Sequence, residues 1–188
     1  MASKLAVVLV AILAISRPSA AEWHGEARPL MGTEVSVYLW HEDAAAGMDA
    51  VNAVFDEIVR IDRLMSTYKE DSRISLINRE AATAPVDAGS ELYRLIERSL
   101  DISVLTLGAF DITYDSVGQH YDFRGRQRPD EATTEAERQR INFRFVTLDS
   151  GQGTVRFEQQ GVRINLGGIA KGYVVERGVD ILRQHGVE

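Results

Sequence analysis

"INLGGIAKGY", residues 164–173, decides how this chain is read. Ile164 and Leu166 flank Asn165 like the end of a strand, two glycines follow, and Lys171 enters a stretch with helical spacing. Val174, Val175, Val179 and Leu182 are expected on the inward side of that helix, and Gly186 is expected to stop it. The turn is neither G-x-x-x-x-G-K-[ST] nor G-x-G-x-x-G, because only two residues separate Gly168 from Lys171. The P-loop and dinucleotide-binding folds therefore lose their signature here. Gly167 and Gly168 can still bring backbone close to a ligand and take up positive φ. The free N–H groups of the next helical turn, with Lys171, could then hold a diphosphate. By itself the segment reads first as a structural strand-to-helix turn and second as a phosphate cradle.

Working outward, "MGTEVSVYLW" (31–40) alternates: Thr33, Val35, Val37 and Leu39 on one face, Glu34, Ser36 and Tyr38 on the other, as in a half-buried strand. From 43 to 66 Met48, Val51, Val54, Phe55, Ile58, Ile61 and Met65 recur at helical spacing behind an Asp43 cap. Asp71-Ser72 opens a turn before a short helix, "RISLIN". Residues 90–108 predict a second long helix, capped by Ser90, ended by Gly108, with Leu92, Leu95, Ile96, Leu100 and Val104 inward. Residues 119–140 are polar and read as a surface excursion around Arg124, Arg126, Arg128 and Pro129. Short strands follow, with turns at Ser150-Gly151 and Gln160-Gly161. The order is strand, helix, helix, strands, helix, which predicts an α+β fold rather than a doubly wound one.

The formal net charge is −7, which disfavours a nucleic-acid partner. With no cysteine, disulfides and thiolate metal sites are excluded, and His24, His41, His120 and His185 are too scattered for a zinc site. At the N-terminus Lys4 precedes an apolar run over 5–15, too short to span a hydrocarbon core of about 30 Å. With Ser19-Ala20-Ala21 it reads as a cleaved secretory signal over 1–21. Cleavage leaves residues 22–188 with 19 basic against 28 acidic residues, a net charge of −9. No cysteine follows the run, so the expectation is an exported, periplasmic protein that is not a lipoprotein and has no stable membrane anchor.

Three further stretches could carry chemistry. In "LGAFDIT" (107–113) Phe110 beside Asp111 could hold a planar heterocycle, or could mark a helix stop packed on the core. In "MSTYKEDSRISLIN" (65–78) Tyr68 lies just past a helix and could stack on a ring or cover the core's edge. Singly, the structural reading comes first for each. Together, "MGT", "S-x-Y…DS-x-IS-x-IN", "GAFD-x-T" and "NLGGIAKGY" occur in that order across 28–188, and this ordered set resembles the ApbE family of FAD:protein FMN transferases.

The resemblance implies an exported, magnesium-dependent enzyme that cleaves FAD, attaches FMN through a phosphoester to a threonine or serine of a membrane redox-complex subunit, and releases AMP. It implies that Met31, Tyr68, Ala109, Phe110, Asp111, Asn165 and Lys171 contact FAD and that Gly168 supplies a magnesium ligand, in many members through its carbonyl. Asn165 stands where many members have aspartate, and Ile112 where many have proline. Family members continue with a glycine-rich strand and an aspartate and threonine that finish the magnesium site. The expectation is therefore an ApbE-like domain over 22–188 that is the N-terminal portion of the family domain and does not transfer FMN alone. On the same scaffold, an FAD pyrophosphatase or a non-catalytic flavin-binding accessory protein are the alternatives.

Overall fold

Met31 and Gly32 turn the first hairpin. Both have positive φ (51° and 73°), as a two-residue turn matching the twist of its strands requires. The hairpin joins β1 (Glu22–Leu30) to β2 (Thr33–His41) in antiparallel register, Leu30 opposite Thr33 and Trp23 opposite Trp40. The computed structural model describes residues 21–122 and 125–187. The signal reading of 1–21 and Arg124 of the polar excursion lie outside them, Ala21 excepted. On β2, Val37 and Leu39 are buried and Val35 half-buried as expected, but Thr33, beside the turn, is exposed. Trp23 and Trp40 meet edge to face on the hairpin's outer surface, ring centroids 5.7 Å apart.

α1 (Ala44–Met65) lies against the hairpin and carries the apolar face its spacing predicts. The Asp43 carboxylate caps it by accepting from the Ala46 N–H. α2 (Arg73–Glu80) is the "RISLIN" helix, capped by Ser72, and leads to a short strand, β3 (Val86–Asp87).

α3 (Ser90–Leu105) departs from expectation at both ends. Gly89, at φ 69°, is the N-cap in place of Ser90, because the Asp87 carboxylate accepts from the Gly89 N–H and tightens the entry. Leu92, Leu95 and Ile96 are buried as expected and Leu100 is half-buried, but Val104 points to solvent; toward the C-terminal end the buried positions are Ser99 and Ser103, whose hydroxyls donate to the carbonyls four residues back. The helix closes before Gly108: the Gly108 N–H reaches back to Ser103 O and the Leu107 N–H to Val104 O. Leu107, at φ 54° and 91% exposed, holds the left-handed position that glycine usually fills.

A 3₁₀ turn (Ile112–Tyr114) runs into the single-turn α4 (Asp115–Gly118). The polar excursion contains a helix not anticipated from its sequence, α5 (Glu131–Arg138), with no buried residue. β4 (Val146–Asp149) and β5 (Thr154–Phe157) form a three-stranded antiparallel sheet in the order β3-β5-β4. This mixed arrangement is the α+β class that the element order predicts.

Residues 162–166 correct the strand expected before the glycines. Val162, Ile164 and Leu166 are buried, but the segment belongs to neither sheet. A side chain does the work of a neighbouring strand: Asn78 Nδ2 donates to Ile164 O at 3.0 Å, and the Ile164 N–H donates to Asn78 Oδ1 at 2.8 Å. The Asn165 N–H donates to Ile112 O.

α6 (Ala170–Gln184) packs on α1 through Gly178, where an added Cβ would lie 3.2 Å from Val54 Cγ1. That close approach turns Val174 inward and leaves Val175 65% exposed, with Val179 also exposed, against expectation. Gly186 is the left-handed residue that ends the helix, as predicted.

Candidate functional site

The hairpin tip, the end of α1 and the start of α6 converge on one cleft of about 490 Å³. Four of the residues singled out from sequence line it together: Met31, Tyr68, Asn165 and Lys171. Met31 arrives there because the hairpin turn forces it into the left-handed region, which costs a non-glycine residue about 1–2 kcal/mol. Tyr68, past the α1 cap at Ser66, is 85% exposed, so its ring face is available.

The glycine turn forms the opposite wall, and neither Gly167 nor Gly168 adopts positive φ. Their lack of a side chain serves close approach instead. A Cβ on Gly168 would sit 3.1 Å from Phe110 Cε2, and one on Gly167 would sit 3.0 Å from Asn165 Oδ1. α6 starts from Ile169 with no side-chain cap. The amides of Lys171 and Gly172 have no hydrogen-bond partner among the described residues, and neither does the Lys171 ammonium. The end of the cleft nearest α6 is thus the electropositive one.

The 109–111 stretch is set slightly apart. Phe110 is half-buried against Gly168, so it is a wall of the turn rather than a free loop aromatic. Ala109 is exposed. The Asp111 carboxylate is committed to architecture: Oδ1 accepts from the Thr113 N–H (2.8 Å) and hydroxyl (2.6 Å), and Oδ2 from the Phe143 N–H (2.8 Å).

Several residues of the site were not anticipated. Asp62 and Lys69 form an ion pair of 2.9 Å on the cleft wall, and Thr67 lines the same space. Thr67 also borders a second cleft of about 620 Å³ that holds Glu70, Asp71, Ser75, Arg79 and Arg163. Buried Asp115 lies between the two, bound to Asn165 and Arg163. Burial, with Asp115 and Tyr68 nearby, pushes the Tyr114 phenol above its usual range. Thr67 was visible inside the quoted "MSTYKEDS"; Asp115 had no sequence signal, since its partners lie 48 and 50 residues away.

A polar network behind the cleft fixes α6. Arg60 donates to both Glu57 and Glu91, the Tyr173 hydroxyl donates to Glu91 Oε1 at 2.7 Å, and Arg177 reaches Glu57. Hydrogen bonds from Arg60 hold both carboxyls below the usual 4.5, while burial and then Glu91 push the Tyr173 phenol up to about 12. The carboxylates therefore contribute stability that is present above pH 4.5 and lost as pH falls through their lowered values. The phenol contributes stability that is present below 10 and lost as pH rises toward 12. Thermal unfolding followed from pH 7 to 3 should show the acid loss, and Arg60→Ala should flatten it. An unchanged acid profile in that variant would show the network to be inert.

The ApbE family pattern matches residues 31–188. The chain belongs to the ApbE family. It is 30% identical over 161 residues to an FAD:protein FMN transferase of Klebsiella pneumoniae, covering 85% of this chain and 50% of that one. It is 28% identical over 173 residues to one of Treponema pallidum, covering 88% and 48%. The chain thus spans about half the length of the curated relatives it matches. The fold is that of the ApbE protein of Thermotoga maritima, with a TM-score of 0.80 at 24% identity over 87% of this chain and 53% of that one.

Magnesium, implied by the family resemblance, prefers hard oxygen donors. Among the described residues no three acidic or histidine side chains gather into a metal site. Asp62 is engaged by Lys69, and Asp115 by Asn165 and Arg163. The residues present do not by themselves make a magnesium shell.

Proposed function

We propose that this chain forms the FAD-binding wall of an exported, magnesium-dependent FAD:protein FMN transferase. The reaction cleaves the FAD diphosphate and attaches FMN to a threonine or serine of a redox-complex subunit at the membrane. The convergence of Met31, Tyr68, Asn165 and Lys171 in one cleft carries this reading, and the names of the relatives support it.

Each residue has a task in that scheme. Tyr68 offers a ring face for the flavin, an aromatic contact worth about 1 kcal/mol beyond buried area. Met31 closes the hairpin side of the ring. Lys171 and the free amides of the first α6 turn take up phosphate charge. Asn165, whose Nδ2 is taken by Thr67 and Asp115, offers the ribose or adenosine the second lone pair of an Oδ1 that already accepts from the Gly167 N–H. The acceptor hydroxyl oxygen forms a new bond to the FMN phosphorus and its proton passes to water, while the bond from that phosphorus to the bridging oxygen breaks and AMP leaves with that oxygen. Such transfer is governed by positioning and charge neutralisation. Magnesium, when bound, would supply charge neutralisation at the diphosphate, and Gly168 is the residue of this chain that the family resemblance gives to hold it. Export rests on Lys4, the apolar run and Ser19-Ala20-Ala21, and N-terminal sequencing of exported protein should begin at Ala21 or Glu22.

The full-length protein should add the mass of FMN to a threonine-containing acceptor peptide in the presence of FAD and magnesium, and lose this activity in chelator. Tyr68→Ala should weaken FAD binding by about fivefold, read by flavin fluorescence. AMP release without peptide modification would make the protein a pyrophosphatase, and no AMP release would overturn the enzymatic reading.

A further inference from the structure

We propose that Asp115 is a positioning residue: it fixes the Asn165 amide, and through it the Gly167 turn, so that positions 115 and 165 form an exchangeable carboxylate–amide pair. The proposal rests on reading the adjoining cleft as the FAD site.

Asp115 opens α4 and is 5% exposed. A carboxylate so buried is costly unless it is paired and hydrogen-bonded. Here Oδ2 accepts from Arg163 Nε at 3.2 Å and Oδ1 accepts from Asn165 Nδ2 at 3.1 Å. An ionised carboxylate only accepts, so the Asn165 NH₂ must face it. That choice turns Asn165 Oδ1 the other way, where it accepts from the Gly167 N–H at 2.8 Å. The same NH₂ donates to Thr67 Oγ1 at 3.2 Å. The amide therefore has one orientation, dictated by its partners. It ties together α4, the Thr67-Tyr68 loop and the glycine turn before Lys171, so the flavin-facing and phosphate-facing sides of the cleft are set by one side chain and its buried anchor.

Substitutions separate this from general packing. Asp115→Asn places amide against amide. Either can then donate or accept, so Asn165 can flip and Gly167 loses its fixed acceptor. Asn165→Asp places two carboxylates at hydrogen-bond distance, which is strongly unfavourable. Combining the two restores a donor–acceptor pair. The introduced amide at 115 donates to the introduced carboxylate at 165 and still offers Arg163 an oxygen. The carboxylate at 165 accepts from Gly167 and from the Thr67 hydroxyl.

The experiment compares four full-length proteins (wild type, Asp115→Asn, Asn165→Asp and the double variant) by thermal unfolding and by fluorescence titration with FAD. Asp115→Asn should raise the FAD Kd about fivefold, the loss of one oriented hydrogen bond, while Tm moves little. Asn165→Asp should lose both affinity and Tm. The double variant should recover Kd to within about twofold of wild type and regain the Tm lost by Asn165→Asp, a non-additivity that only coupled residues show. An unchanged Kd in Asp115→Asn, an unperturbed Asn165→Asp, or a double variant no better than Asn165→Asp overturns the proposal. If the wild type binds no FAD, the reading of the cleft fails. The Tm order of the four proteins then decides the pair: rescue by the double variant keeps it, and additive losses overturn it.

Discussion

Asn78→Ala is expected to destabilise the protein by about 2–4 kcal/mol, an unusual cost for a polar residue on a short helix. The reason is the backbone it serves. Ile164 is fully buried, and both its N–H and its C=O are bonded to the Asn78 amide. Alanine leaves a buried donor and a buried acceptor without partners, and each such group costs about 1–3 kcal/mol. Asn78→Asp should be little better, because it keeps an acceptor for the N–H but turns a second acceptor on the carbonyl. Urea unfolding should show a lower midpoint with an unchanged m-value. A midpoint equal to wild type would mean that residues 162–166 are held by their apolar side chains alone.

Asp111→Ala should cost about 3 kcal/mol, since three donors (the Thr113 N–H and hydroxyl and the Phe143 N–H) lose a charged acceptor at once. The consequence for the cleft is indirect. Phe110 is held against Gly168 by the loop that Asp111 pins, so, on the proposed function, affinity for FAD should fall together with Tm. Asp111→Asn should show the same paired loss, because its NH₂ would face one of the three donors. Reduced FAD affinity with an unchanged Tm in either variant would instead identify the carboxylate as a direct ligand contact.

The long helices were legible because each buries one face against a large partner, and α1 keeps that face over its whole length. Legibility failed where the covering partner is small or local. β1 was missed because only His24 on it is buried, so "EWHGEARPL" shows no alternation. Residues 162–166 have perfect alternation yet form no strand, because their backbone partner is a side chain on α2. On α6 the valine at 175 obeys the helical period, but Gly178 shifts the contact line with α1 and leaves it outside. For the site, the residues facing the cleft came from motifs, whereas Asp115 and the Asp62–Lys69 pair are defined by tertiary neighbours that no local pattern encodes.

The edge-to-face indole pair on the hairpin has an optical consequence. Trp23 and Trp40 are the only tryptophans in the sequence, and both face solvent. They stand near the open end of the hairpin, about 26 Å along the strand from the Met31-Gly32 tip at the cleft. Intrinsic emission from this protein therefore reports the water-exposed far end of a β-ribbon and is blind to local rearrangement around Tyr68. On the proposed function, ligand entry is best followed on the flavin itself or on a relocated chromophore: Tyr68→Trp would place an indole at the proposed ring site, where its quenching would be a direct clock of binding.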